Sequence, residues 1–260
     1  MKKVVKIILL GIAVLFISVC GFFIWVWDQY TVPVLMYHNV EVLDHQAPNW
    51  VSPEEFDWQM SFLRKHHYNV ITLTELVDRI KAGSKMPHNT VAITFDDGNY
   101  NNYQYAYPIL KKYKIPATIF LIASAFENKS FLSESNIREM AKNGIAFGSH
   151  TVSHAYLLDF DIAGQRREIF ESKKIIEERL GAPINFLAYP IGGFSDPIKR
   201  MTQEAGFKAA FATNRGSDRF NHDVYELKRI RLSSRDHTPV EMVVKLSGYY
   251  NYFRMLKNPN

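Results

Sequence analysis

The sequence predicts an α/β fold, a deformed (β/α) barrel of about seven to eight strands preceded by one N-terminal transmembrane helix. Two observations lead to this prediction. Short apolar runs alternate with amphipathic helical patterns about eight times between Val32 and Ser247, which favours parallel strands covered by helices. An uncharged run of 21 residues, Ile7 to Trp27, precedes this region. A doubly wound open sheet is the alternative for the alternating part.

The uncharged N-terminal run is long enough for a membrane span, because as a helix it would cover about 30 Å. Lysines precede the run and tryptophans close it, which favours a cytoplasmic N-terminus and an extracytoplasmic remainder. A cleaved signal peptide is one alternative, although its apolar region is usually shorter. A lipid on Cys20 is another. We expect residues 1–30 to be the cytoplasmic lysines and the anchor, and residues 31–260 to be one extracytoplasmic domain.

The charge of the chain argues against nucleic-acid binding. The formal net charge is +5, and Lys2, Lys3 and Lys6 supply three of these charges, which leaves +2 for the rest of the chain. This is not the basic excess that nucleic-acid binding requires. Cys20 is the single cysteine, so residues 31–260 contain no internal disulfide. No obligate protein partner is indicated.

The strands and helices follow from local signals taken in chain order. Apolar runs predict strands at 32–37, 69–71, 91–95, 117–122, 145–148, 185–189, 207–213 and 227–232. The sequence Ser52-Pro53-Glu54-Glu55 is a capping box that begins the first helix of the domain. Helical spacing then predicts helices at 74–83, 103–113, 134–142, 162–180, 196–205 and 239–247, and Gly181 and Pro183 end the longest of them.

Polar side chains follow several of these strands. Asp96 and Asp97 follow the strand at 91–95, His150 and His154 follow the strand at 145–148, and His38 follows the first strand. In a β/α barrel these positions share one rim, where reactive groups collect. A carboxylate and two imidazoles are a usual ligand set for a catalytic divalent metal, and the second carboxylate is then free to act as a base. Taken alone, Asp-Gly after a strand is an ordinary turn.

Two motifs in this set resemble those of a known family. Thr94-Phe95-Asp96-Asp97-Gly98 and His150-Thr151-Val152-Ser153-His154 are similar to the first and second motifs of the polysaccharide deacetylases with the NodB homology domain, carbohydrate esterase family four. The resemblance implies a deformed β/α barrel and a divalent metal, most simply Zn²⁺ with Co²⁺ or Ni²⁺ as alternatives. It also implies Asp97, His150 and His154 as metal ligands and Asp96 as the general base.

The third motif departs from the family pattern Arg-x-Pro-Tyr-Gly, because Ala188-Tyr189-Pro190-Ile191-Gly192 stands in its place. The arginine that orients the catalytic aspartate in the family is absent. Arg229 or Arg231, two residues apart and so on one strand face, are candidates to replace it beside Asp96. The Ile191 main-chain N–H, with Tyr189 and Pro190 before it, remains a candidate for the oxyanion and substrate side, since that role needs no particular side chain.

The late Leu-x-His motif is also absent, because Leu227-Lys228-Arg229 stands where its histidine is expected. In the family this histidine is the usual general acid. The run Pro33 to Val40 is similar to the start of the poly-N-acetylglucosamine deacetylase branch, in which an early histidine takes the acid role. His38 is therefore the candidate acid.

These patterns predict a membrane-anchored, extracytoplasmic, metal-dependent deacetylase. Its substrate would be the N-acetylhexosamine units of a polysaccharide such as poly-N-acetylglucosamine, peptidoglycan or a chitin-like glycan, and it would release acetate. Two alternatives remain open: a glycan-binding module of the same fold that has lost its chemistry, and a metal hydrolase of another amide or ester.

Overall fold

The computed structural model describes residues 2–42, 49–213 and 216–257. The chain divides into two compact units, Met1–Thr31 and Val32–Asn260. The first unit is helix α1 (Lys2–Asp28). Its segment Leu9–Asp28 has a mean hydropathy of 2.7 and is not buried within the protein. Among the described residues α1 is the one helix long and apolar enough to cross a bilayer, a property that anchors share with signal sequences.

The second unit contains strands and helices in alternation. The strands are β1 (Val34–Tyr37), β2 (Asn39–Val40), β3 (Trp50–Val51), β4 (Asn69–Ile71), β5 (Thr90–Phe95), β6 (Ala117–Leu121), β7 (Ile145–Ser149), β8 (Phe186–Ala188), β9 (Ala209–Ala212), β10 (Leu227–Lys228) and β11 (Ile230–Arg231). The helices are α2 (Pro53–Lys65), α3 (Leu73–Lys81), α4 (Tyr107–Tyr113), α5 (Glu134–Lys142), α6 (Ile162–Leu180), α7 (Asp196–Glu204), α8 (Pro239–Leu246) and α9 (Tyr250–Lys257).

The main sheet is parallel and nearly closes on itself. Its strand order is β10-β9-β8-β7-β6-β5-β1-β11, and β4 joins the first half of β5. Strands β10 and β11 are consecutive pieces of one extended segment, interrupted only at Arg229. Strand β10 pairs with β9 and β11 pairs with β1. This one segment therefore connects the two ends of the sheet. The predicted deformed β/α barrel is thus confirmed, and the open sheet is not found.

Strands β1 and β5 of the barrel are buried along their whole length. All six residues of β5 and all four of β1 are buried, because helices cover the outer face of a parallel sheet while side chains fill the barrel interior. Around these strands, Tyr37 stacks on Phe95 with ring centroids 5.3 Å apart and meets the edge of Phe56 at 5.1 Å. This packing fixes the ends of β1 and β5, from which the site is built.

The predicted capping signals operate as expected. At the start of α2 the Glu55 N–H donates to Ser52 Oγ (3.1 Å) and the Ser52 N–H donates to the Glu55 carboxylate (3.1 Å). A cap of this kind contributes about 1 kcal/mol. Helix α6 ends at Gly181, whose φ of 68° is the left-handed conformation that glycine adopts most easily.

Several elements differ from the sequence prediction. The first turn of the helix predicted at 103–113 is a π-helix, Asn102–Ala106, and the α-helix begins at Tyr107. Pro108 explains this difference, because it has no N–H and its ring would clash with the carbonyl of residue 104 in an α-helix. Helix α9 and the short pair β2–β3 were not predicted, since two-residue strands have no detectable period.

Candidate active site

The polar residues predicted at the strand ends lie together at one rim of the barrel. His38 follows β1, Asp96 and Asp97 follow β5, and His150 and His154 lie at the end of β7. Asp96 Oδ2 is 3.9 Å from His38 Nε2 and 3.8 Å from His150 Nε2, and Asp97 Oδ1 is 3.3 Å from His154 Nε2. The structure therefore brings all five side chains into one site.

Asp96 is buried and forms a two-pronged ion pair with Arg229. The Arg229 Nη1 and Nη2 groups donate to Asp96 Oδ1 and Oδ2 at 2.6 and 2.8 Å, and the two residues are 0% and 3% exposed. Burial by itself would raise the pKa of Asp96. The positive charge of Arg229, followed by His150 and His38, outweighs that effect and holds the pKa well below its usual range. Asp96 is consequently ionised at neutral pH.

Arg231 does not contact Asp96, although the sequence left it as an equal candidate. Its side chain is exposed and donates to Asn49 Oδ1 at 3.2 Å. The extended segment is interrupted at Arg229, so the alternation that would place residues 229 and 231 on one face does not hold across the break. Arg229 is directed inward, where it also donates to Thr94 Oγ1 and to the Ala212 carbonyl at 3.3 Å each.

Asp97, His150 and His154 form a cluster that could hold a metal ion, with ligand atoms within 4.8 Å of one another. The Asp97 Oδ1 atom lies 3.8 and 3.3 Å from the two histidine Nε2 atoms. Ligand bonds of 2.0–2.2 Å in a tetrahedral zinc site separate neighbouring ligand atoms by about 3.4 Å. Among the described residues, the buried Asp97 Oδ1 has no hydrogen-bond partner. The residues therefore fit a divalent cation.

The surroundings of His150 orient it toward this cluster. Its Nδ1 is 2.8 Å from the Ala188 carbonyl oxygen, so Nδ1 carries the proton and Nε2 is left as the electron-pair donor. Burial lowers the pKa of His150, and the nearby Asp96 and Asp97 oppose that effect only in part. His150 is thus neutral at neutral pH, which is the form that binds metals.

His38 lies near the same Asp96 oxygen as His150, and its side chain is 17% exposed. Burial lowers its pKa, and Asp96 and Asp97 raise it in part. The main-chain carbonyl of His38 accepts a hydrogen bond from Asn102 Nδ2 at 2.8 Å. The contact of Asn102 with His38 was not predicted from the sequence, because Asn102 lies in the π-helical turn. The only indication in the sequence is its position five residues after Asp97.

The turn after β8 presents its three predicted residues differently. Tyr189 is buried, stacks on Phe194 at 5.2 Å and donates from its hydroxyl to the Tyr225 carbonyl at 3.0 Å. Pro190 is also buried. Ile191 is 61% exposed and has a φ of 57°, a costly conformation for a β-branched residue. Of the three side chains, only that of Ile191 is well exposed to solvent.

The barrel and its rim define a β/α-barrel protein with a site suited to one divalent metal. Comparison with known proteins gives the family. Residues 83–210 match the family model for polysaccharide deacetylase. YxkH of Bacillus subtilis (strain 168) is 32% identical over 201 residues, which are 77% of this chain and 71% of that protein. The poly-β-1,6-N-acetyl-D-glucosamine N-deacetylase of Staphylococcus aureus (strain MSSA476) is 32% identical over 214 residues, covering 77% and 73% of the two chains.

Solved structures agree with this assignment. The Streptococcus pyogenes deacetylase PplD in complex with acetate has a TM-score of 0.77 and 28% identity, over 83% of this chain and 97% of that chain. IcaB from Ammonifex degensii has a TM-score of 0.73 and 25% identity, over 85% and 97%. The chain belongs to the polysaccharide deacetylase family, and it is a hydrolase that acts on carbon–nitrogen bonds in the N-deacetylation of a polysaccharide. The family and the enzyme class predicted from the sequence are confirmed, and the binding-only alternative is set aside.

Proposed function

We propose that the protein is a membrane-anchored, extracytoplasmic, metal-dependent deacetylase of N-acetylhexosamine units, with poly-β-1,6-N-acetylglucosamine as the first substrate to test. The name of the Staphylococcus aureus relative supports this glycan. Peptidoglycan and chitin-like glycans are the other substrates of the same chemistry. The length and hydropathy of α1 support residues 1–30 as the anchor, which leaves residues 31–260 as the catalytic domain.

Asp97, His150 and His154 are the proposed metal ligands, and the orphaned Asp97 Oδ1 supports this role. Zn²⁺ is the first candidate, and Co²⁺ and Ni²⁺ suit the same donor set. When bound, such an ion supplies Lewis-acid polarisation of the acetamide carbonyl and acidifies the attacking water. The protein supplies the proton transfers and the positioning.

The observation that carries the proposal is the separation of two consecutive aspartates into two environments. Asp96 is paired with Arg229, whereas Asp97 faces His154. On extended backbone these neighbours would point to opposite faces, but the φ of 71° at Asp97 turns the chain so that both carboxylates reach the rim. One carboxylate is then available as the general base and the other as a ligand.

Asp96 is the proposed base, and Oδ2 is its reacting atom because this oxygen lies nearest to both His38 and His150. Water loses a proton to Oδ2 while its oxygen adds to the acetyl carbon. His38 Nε2 is 3.9 Å from the same oxygen, so His38 can receive that proton and donate it to the departing nitrogen. The carbon–nitrogen bond breaks, and the products are acetate and the free amino sugar. The Ile191 N–H is the proposed oxyanion donor.

Acetate release by the full-length chain in detergent tests this function. Poly-β-1,6-N-acetylglucosamine, peptidoglycan and chitin oligomers are compared with and without a chelator, and Zn²⁺, Co²⁺ or Ni²⁺ is then added back. We expect release from at least one glycan that stops on chelation and returns with metal. Asp96→Asn should lower turnover about 100-fold or more. Near-normal turnover in Asp96→Asn refutes the base, and chelator-resistant turnover refutes the metal dependence.

A further inference from the structure

The loop that carries both histidines of the proposed metal site is held by a carboxylate from the neighbouring helix. Glu168 lies on α6 and its side chain is buried, at 3% exposure. Its Oε2 accepts the main-chain N–H groups of Val152 and Ser153 at 2.9 Å each, and its Oε1 accepts the Ser153 hydroxyl at 2.9 Å. All three donors lie between His150 and His154.

Other main-chain groups of this loop are also paired. The Thr151 and Val152 carbonyls accept from the Ala123 and Ser124 N–H groups at 3.0 and 2.9 Å, and Ser149 Oγ accepts the Thr151 N–H at 3.1 Å. Glu168 is the only one of these partners that carries a charge. Among the described residues it forms no ion pair with a lysine or arginine, so its hydrogen bonds all serve the loop.

The loop needs such support because its backbone is strained. Thr151 and His154 have φ values of 65° and 60°, in the left-handed region, where a residue with a side chain costs about 1 kcal/mol or more. Conformations of this kind persist only where surrounding contacts fix them. Hydrogen bonds from N–H groups to an ionised carboxylate are about twice as strong as neutral ones.

We propose that Glu168 is a positioning residue, which holds this loop so that His150 and His154 face Asp97 before any metal arrives. The inference rests on the proposed metal site and adds to it the group that builds its loop. Glu168 is not one of the proposed metal ligands, and it acts through Val152 and Ser153. Its removal should therefore weaken metal binding more than it disturbs the fold.

Metal affinity of the full-length chain in detergent is the test, measured by Zn²⁺ titration against a competing chelator. Glu168→Met keeps the length of the side chain and removes its acceptors, and we expect binding about 10- to 100-fold weaker. Glu168→Gln keeps one oxygen for both N–H groups and turns its amide toward Ser153 Oγ, so we expect affinity within about five-fold of the unaltered protein.

Glu177→Met is the matched control, because Glu177 lies on the same helix and accepts the Ile184 N–H at 2.9 Å, away from the site. We expect a lower melting temperature and unchanged metal affinity. Equal affinity in Glu168→Met and the unaltered protein overturns the role of Glu168 and leaves the metal site intact. Absence of Zn²⁺ binding by the unaltered protein overturns the metal site and, with it, this inference.

A second measurement needs no variant, in case Glu168→Met does not fold. Hydrogen exchange followed by mass spectrometry reports on the Val152 and Ser153 amides of the metal-free protein. We expect these amides to be protected, because Glu168 binds them without metal. Rapid exchange of both amides would overturn the proposal that the loop is formed in advance.

Discussion

Arg229 is the side chain on which the ionised state of Asp96 depends. It is fully buried, and its cationic group also lies over the Phe120 ring at 5.3 Å. A buried carboxylate without a partner would lose charge, since burial disfavours the ionised form. A guanidinium beside Asp96 is thus supplied from the break between β10 and β11, although the third motif contains no arginine.

The first prediction concerns Arg229→Met. Removal of the guanidinium leaves the Asp96 carboxylate buried and unpaired, which costs about 3–5 kcal/mol of stability. Because the strongest of the charges that oppose the effect of burial is then absent, the pKa of Asp96 rises, and the acid limb of the activity profile shifts to higher pH. Acetate release as a function of pH and thermal unfolding measure both effects. Arg231→Met is the control, and an unaltered pH profile in Arg229→Met would contradict the prediction.

The second prediction concerns His38→Ala. If His38 passes the proton to the leaving nitrogen, its loss should lower turnover by about 100-fold or more while the bound metal is unchanged, since His38 is not a proposed ligand. Acetate release and metal content by mass spectrometry are measured together. His222→Ala, which removes a surface histidine that is 79% exposed, should match the unaltered protein. Equal turnover in the His38 and His222 variants removes the acid role.

Among the site residues, Asp96, Asp97, His150 and His154 could be predicted from the sequence, because strand ends and motif spacing place them at one rim. The sequence could not choose between Arg229 and Arg231. That choice depends on a break in the strand that only the closing of the barrel creates. Glu168 was not detectable either, since a glutamate within a polar helix gives no sign that it is buried.

Among the elements, the turn after β8 is the most tightly constrained. Gly192 in this turn has a φ of 71°, and a Cβ atom there would lie 2.3 Å from Thr213 Oγ1 and 3.0 Å from the Thr213 nitrogen. No ordinary side chain fits without moving the chain between β9 and β10. A side chain at position 192 would therefore displace either Thr213 or the turn that carries Ile191.

The third prediction compares Gly192→Ala with Gly181→Ala. Both glycines have positive φ, at 71° and 68°, but a Cβ at Gly181 meets nothing within 4 Å. Gly181→Ala should cost only the left-handed penalty, about 1 kcal/mol, with activity unchanged. Gly192→Ala should cost more and should also lower turnover, because the Ile191 turn must shift. Melting temperatures and acetate release check this, and equal effects of the two changes would contradict it.

The elements themselves were largely predictable. Helix ends are set by capping residues and by glycines, which act through contacts with residues nearby in the sequence. The predicted and observed limits of α5 and α6 therefore coincide, at 134–142 and 162–180. The π-helical turn before α4 was not predictable from periodicity, because a proline at Pro108 can also end a helix or bend it. Helix α9 lies beyond the region in which strands and helices alternate.

For the whole molecule, the proposed anchor α1 would determine where the enzyme works. The fourth prediction is that the full-length chain fractionates with membranes and is released by detergent but not by high salt, since an apolar helix of this length is held by the hydrocarbon layer. A chain that starts at residue 31 should be soluble. Cell fractionation and intact-mass measurement check this. If the protein expressed from residue 1 is recovered without α1, this helix is a cleaved signal and not an anchor.

The global architecture followed from the regular alternation of apolar runs and helices, which leaves parallel pairing as the main solution. How the barrel closes did not follow. A single predicted strand at 227–232 is in fact two short pieces with different partners, β9 and β1. Pairing of that kind depends on the final curvature of the sheet and leaves no trace in hydrophobic periodicity.

This split closing segment also has a consequence for biosynthesis. Asp96 and Arg229 are separated by 133 residues, so a nascent chain has exposed its two neighbouring acids long before the cation that pairs with one of them is made. An incomplete chain that ends before Leu227 lacks both the last strand and the counter-charge. Contacts this distant in sequence form late, so catalytic competence should be acquired in a single late step.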